Sequence, residues 1–183
     1  MLANLAVGFL ETSSIVKGIE AADAMVKMAS VKLVKTSFLA RGKYTILITG
    51  PVGEVESALR AGRGVLDKSL VDEVLIRNVH QNVIDTLDKR VPVEKLEAVG
   101  VIETKEAVAA VLAADAAAKA ASVRLIETRT AVPGGKGLVT MTGSVGDVRA
   151  AVAAGISAIR KELLAGQVVI PQADAQLLAS IGK

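Results

Sequence analysis

The sequence predicts an α+β chain built from two tandem copies of one small domain, each an antiparallel sheet with helices on one face. Three observations carry this. Residues 98–128 repeat residues 6–36 at a constant offset of 92, with about half of the aligned positions identical. The match resumes after a one-residue shift, GKYTILITGPVGEVESALRAG (42–62) against GKGLVTMTGSVGDVRAAVAAG (135–155). Within each copy, short β-branched runs alternate with stretches of helical periodicity in the order β-α-β-β-α-β. The repeat length is that of a whole small domain, not of a solenoid unit.

The elements of the first copy follow in order. Leu5–Glu11 is a short apolar run suited to a buried strand. Thr12, Ser13 and Ser14 supply N-cap hydroxyls. From 15 to 29, Ile15, Ile19, Ala22, Met25 and Val26 recur at helical spacing as the core face, with Lys17, Glu20, Asp23 and Lys27 opposite. Val31–Phe38 reads as a strand, Leu39–Gly42 as a turn and Tyr44–Thr49 as the next strand, ended by Gly50-Pro51. Glu54–Leu66 is a weaker helix, Val71–Ile76 the fourth strand and Asn82–Leu87 a short closing helix. This order is the ferredoxin-like, split-βαβ pattern. Asp88–Lys95 is polar, contains Pro92 and reads as the linker, so the expected domains are 1–93 and 94–183.

Composition narrows the function. The net charge of +3, two Phe, one Tyr and no Trp leave neither a basic stripe nor stacking platforms for nucleic acid. With no cysteine and a single histidine, disulfides, thiolate catalysis, a His-based triad and Cys- or His-rich metal sites are excluded. The N-terminal stretch lacks the basic region and cleavage signal of a leader, and the most apolar run, 107–123, carries Asp115 and Lys119, so neither secretion nor a membrane span is expected. A cytoplasmic location follows as the default.

Candidate chemistry is sparse. His80 stands where the second copy has Asp174, and a surface or capping role is expected of it. AVPGGKGL (131–138) fails as a phosphate loop, since Thr130 occupies the first glycine position and Gly137 follows Lys136 in place of Ser or Thr. A tight turn between strands is the reading. The duplicated acids Glu11/Glu103 end strands just before helices, where interaction with a helix N-terminus or a subunit contact is expected. No catalytic residue, cofactor or metal ligand emerges, and the chain is not expected to be an enzyme.

AVGFLET, GIEAADAMVKMASVKLV and TGPVGEVESA, repeated as AVGVIET, LAADAAAKAASVRLI and TGSVGDVRAAV, resemble the shell domain of bacterial microcompartments, the BMC domain. Each copy keeps the unpermuted order, which is similar to tandem members of the single-layer, trimeric type. The resemblance implies a homotrimer forming a pseudohexameric tile in a microcompartment shell, beside hexameric shell partners, with a central pore for small metabolites. It implies pore-lining turns at Leu39, Ala40, Arg41 and Gly42 and at Val132, Pro133, Gly134 and Gly135, and tile-edge contacts at Lys27 and Lys119. Asn78 and Gln172 stand where many relatives carry an edge arginine, which weakens the expected edge hydrogen bonding. Some trimeric relatives hold an iron–sulfur cluster on a pore cysteine. The aligned residue here is Ala40, so no cluster is expected. The alternative to a shell role is a small-ligand-binding regulatory protein of ferredoxin-like fold. An enzyme using a carboxylate pair ranks below both.

Overall fold

The computed structural model describes residues 5–181. Residues 1–4 and 182–183, which hold the start of the segment read for a leader and the outer ends of both expected domains, lie outside the described residues. The chain divides into two compact units: residues 1–79 with Pro133–Gly135, and residues 80–132 with 136–183.

In the first unit β1 (Leu5–Thr12), α1 (Ile15–Met28), β2 (Lys32–Phe38), β3 (Tyr44–Pro51), α2 (Val52–Leu66) and β4 (Leu70–Ile76) form one sheet in the order β2-β3-β1-β4. Every neighbouring pair is antiparallel. The split βαβ order is thus as the element sequence predicts. Gly50-Pro51 does not break the third strand early. Pairing continues through Ala6↔Gly50 and Leu5↔Pro51, because proline is tolerated at the end of a strand. Helix α2 then starts directly at Val52.

The core lies between the sheet and its two helices, around Leu10, Met25, Ile46, Ile48, Val55 and Leu59. The buried stripe of α1 is Gly18, Ala21, Ala22 and Met25. This corrects the helix face expected from apolar spacing. Ile19 is 53% exposed and Val16 75% exposed, because close helix packing selects small residues for the inner face and leaves large ones outside.

The second unit repeats the plan. β5 (Ala98–Thr104), α4 (Ala107–Ala120), β6 (Arg124–Val132), β7 (Lys136–Gly143), α5 (Val145–Ala158) and β8 (Leu164–Ile170) give the order β6-β7-β5-β8. Both sheets shift register at the same place, after Glu11 on β1 and after Glu103 on β5. Two further short helices, α3 (Gln81–Thr86) and α6 (Leu178–Ile181), belong to this unit.

Asp88–Lys95 is not a loose linker. Leu87 and Arg90 form β-bridges with Thr128 and Glu127 of β6. The Asp88 carboxylate accepts the Thr130 amide and hydroxyl, each at 2.7 Å. Val93 and Leu96 pack with Val99, Ile126, Leu177 and Leu178. The polar composition that suggested a linker is the set of groups that ties the segment to β6.

One packing solution differs between the copies. A Cβ on Gly18 would lie 2.4 Å from the Tyr44 ring, whereas a Cβ on Gly137 would lie 2.5 Å from Ala110 Cβ. Ala110 is the repeat counterpart of Gly18, and Gly137 that of Tyr44. The small residue sits on the helix in one copy and on the strand in the other. We therefore expect Gly18→Ala to destabilise by about 1–3 kcal/mol through overpacking. In a Tyr44→Gly background the same change becomes neutral or favourable, since alanine exceeds glycine in helix propensity by ~1 kcal/mol. A double-mutant cycle of denaturant melts checks this.

Candidate functional site

The candidate site is the pair of equivalent turns that join the second and third strands of each copy. In the first copy Phe38 and Tyr44 face each other across the hairpin, ring centroids 5.3 Å apart in an edge-to-face arrangement. The Leu39 amide donates to the Lys43 carbonyl at 2.9 Å and closes the loop. Ala40–Gly42 make a single 3₁₀ turn, in which Arg41 (φ 63°, ψ 26°) and Gly42 (φ 73°) are left-handed. Glycine adopts that conformation freely, while a side chain such as that of Arg41 costs about 1–2 kcal/mol there. Leu39 is buried and anchors the turn, whereas Ala40, Arg41 and Gly42 are exposed.

In the second copy β6 runs to Val132, which pairs with Lys136. The turn is therefore Pro133-Gly134-Gly135, with φ of 87° and 77° at the two glycines. Proline presets the backbone entering the turn and the glycines supply its left-handed half. This is the strand-to-strand turn that AVPGGKGL predicts. Pro133 and Gly134 are exposed, Val132 is half-buried and Gly135 is buried. The two turns thus differ in chemistry: one displays a guanidinium, the other no side chain beyond a proline ring.

Beneath each turn lies a matched ion pair. Lys43 Nζ meets Glu11 Oε1 at 3.0 Å, and Lys136 Nζ meets Glu103 Oε1 at 2.6 Å. Beside the helix N-terminus or subunit contact expected of these acids, each carboxylate meets the lysine that opens the next strand. At the start of α1 the cap is instead Ser14, whose hydroxyl accepts the Lys17 amide at 3.3 Å. Glu11 is fully buried, while the Glu103 side chain is 38% exposed. Arg41 makes no ion pair among the described residues.

The residues expected at tile edges are spread over both units. Lys27 pairs with Asp23 at 2.6 Å with both side chains largely exposed. Lys119 pairs with Asp115 at 2.5 Å, and Asp115 is buried. The second oxygen of Asp115 accepts the His80 amide at 2.8 Å. Asn78 is exposed with a left-handed backbone (φ 58°), and Gln172 is exposed in a bend. His80 caps α3, its Nδ1 accepting the Asn82 amide at 3.2 Å, and Asp174 caps the matching turn by accepting the Gln176 amide at 2.8 Å. The capping role expected of His80 is what the structure gives.

Glu127 is a structural acid that no local sequence motif marks. This buried acid of β6 meets Arg90 at 3.2 Å and Arg129 at 2.7 Å. Its one signal was a charge inside a strand where the first copy has Lys35. Among the described residues every buried side-chain nitrogen or oxygen has a hydrogen-bond partner, so these carboxylates are committed to structure.

The BMC domain family model matches residues 6–79 and 98–173. The chain belongs to the BMC domain family. It is 39% identical over 169 residues to the bacterial microcompartment shell protein PduT of Citrobacter freundii, covering 91% of this chain and 92% of that one. The carboxysome shell protein CsoS1C of Halothiobacillus neapolitanus is 40% identical over 91 residues, 48% of this chain but 93% of its own length. One copy of the BMC domain is thus nearly the whole of that relative. A crystal structure of a microcompartment protein from Desulfitobacterium hafniense DCB superposes with a TM-score of 0.86 at 40% identity, covering 96% of this chain and 98% of that one. A fused permuted hexameric shell protein of the RMM microcompartment gives 0.67 at 25% identity, covering 86% and 85%.

The buried Glu11 and the half-exposed Glu103 respond differently to neutralisation. Glu11→Gln removes the negative charge that faces Lys43 from a fully buried position, a loss of about 3–5 kcal/mol for a buried pair. Glu103→Gln removes a half-exposed pair and is expected to cost at most about 1 kcal/mol. Thermal melts of the two variants should therefore separate clearly, with Glu11→Gln the lower.

Proposed function

We propose that this protein is a structural component of a bacterial microcompartment shell, not an enzyme. Three chains close into a ring in which six BMC domains make one pseudohexameric tile. The observation that carries the reading is the doubling itself. Two unpermuted copies of a domain that elsewhere nearly makes up a whole shell protein are joined in one chain. Closed cyclic symmetry is the common fate of such subunits, and three two-domain chains fill the places of six one-domain chains.

In this ring the Ala40–Gly42 and Pro133–Gly135 turns alternate around the central axis and line a pore that passes small metabolites. Their left-handed residues let the backbone approach the axis closely. Lys43 and Lys136 are held by Glu11 and Glu103, so the free charge at the rim is Arg41, once per chain. A ring of guanidinium groups concentrates anions and disfavours cations. Lys27, Asn78, Lys119 and Gln172 lie at the perimeter and meet neighbouring hexameric shell proteins edge to edge.

Two measurements test this. The purified chain, 18.8 kDa as a monomer, is expected to sediment as a trimer of about three times that mass, and a monomer would contradict the ring. In a permeation assay Arg41→Glu should reverse the charge preference, lowering anion flux by roughly tenfold. Unchanged anion flux would remove Arg41 from the pore.

A further inference from the structure

One groove of the first unit carries a charge arrangement that the fold does not call for. It runs between α2 and the edge strand β4 and encloses about 340 Å³. Its floor is apolar, with Leu59 and Val74 both buried. Its walls are charged. Arg60 and Arg63 come from successive turns of α2, and Arg77 stands just past the end of β4.

Two of the three guanidinium groups are already held in place. Arg63 Nε and Nη2 lie 3.0 and 2.7 Å from the two carboxylate oxygens of Glu73 on β4. Arg77 Nε and Nη2 both donate to Oε1 of Glu56 on α2, at 3.2 and 2.5 Å. Each pair thus links helix to strand across the groove, and each leaves the arginine Nη1 without a partner among the described residues. The Arg60 side chain is exposed and has no ion pair or hydrogen bond among the described residues. Glu56, one turn before it and at the spacing of a helical ion pair, is engaged by Arg77 instead.

The second copy shows that a domain can be built without this charge. With Gly62 aligned on Gly155 and β4 on β8, the positions of Glu56, Arg60, Arg63, Glu73 and Arg77 hold Arg149, Ala153, Ile156, Gln167 and Pro171. No opposed charges survive there, yet α5 and β8 form as α2 and β4 do. Val152 is buried under α5 as Leu59 is under α2. Five charged residues gathered over an apolar floor in one copy alone mark a binding site and not a folding requirement.

We propose that the α2/β4 groove of the first copy binds the phosphoryl group of a small anionic metabolite, with Arg60 as its principal contact and the Nη1 groups of Arg63 and Arg77 donating from either side. A carboxylate is planar, carries one charge and is satisfied by a single guanidinium fork. A phosphoryl group offers three acceptor oxygens and close to two negative charges at neutral pH, which suits donors arriving from two elements. Glu73 and Glu56 hold the two outer arginines in position before the ligand arrives, so less side-chain freedom is lost on binding. The site lies wholly within the first unit and does not depend on the ring.

Pyrophosphate and succinate are the probes, titrated into the full-length protein at constant ionic strength and followed by calorimetry. Pyrophosphate is expected to bind saturably at one site per chain, and succinate roughly tenfold more weakly or worse. Arg60→Ala copies the residue of the second domain and suits a helix. It should weaken pyrophosphate binding by roughly tenfold or more while the thermal melt stays unchanged. Arg149→Ala, which removes an exposed arginine of the second copy, should leave the affinity as it was. Absence of saturable binding, or binding that survives Arg60→Ala, overturns the site. An equal loss in Arg149→Ala shows a general effect of charge and overturns it as well. A stoichiometry of one per three chains is that of a site on the central axis and also contradicts the groove. Succinate bound as tightly as pyrophosphate overturns the phosphoryl assignment.

Discussion

The buried carboxylate of Asp115 organises much of the second unit. It is one oxygen to Lys119 on its own helix and one to the amide of His80, at the head of a segment that sequence assigns to the other copy. A buried acid left with one free lone-pair direction is costly, and satisfying it with a backbone amide fixes where the incoming chain must lie. From that point α3, the Asp88–Thr130 contacts and the Arg90–Glu127 pair follow in order along β6. The connection between copies is therefore a structural element that completes a domain.

Each copy in this chain carries a short capped segment after its last strand. Within the chain the first copy's segment serves the second copy's face. Joining the copies in one chain fixes that contact. It also frees the copies to diverge. The Gly18/Tyr44 pair becomes Ala110/Gly137 without loss of helix-to-sheet contact, and the turn with Arg41 becomes one with Pro133 and two glycines. The doubled chain therefore carries two kinds of turn where a single-copy chain carries one.

Much of the fold was legible in the sequence because its signals are local. Strand alternation, the Ser14 hydroxyl, the glycines of the AVPGGKGL turn and the offset between copies need no tertiary information. The failures share a cause. Ile19 and Val26 were expected inside because apolar spacing does not say which side of a helix has room, and close packing gave the inner face to Gly18 and Ala21. The lysine partners of Glu11 and Glu103 were not legible because they lie more than thirty residues along the chain. The Asp88–Lys95 segment looked like a linker because its anchors are charged, and the acid that receives Arg90 sits on a distant strand. Glu127 was invisible as a site residue for the same reason.

The central claim is that doubling the domain lets three chains occupy a ring of six places. Electron microscopy of the purified full-length protein tests it most directly. The account predicts flat particles with threefold symmetry and six lobes, the axis passing beside Ala40 and Gly134. Particles with no threefold axis, or with one that runs far from both turns, would contradict it.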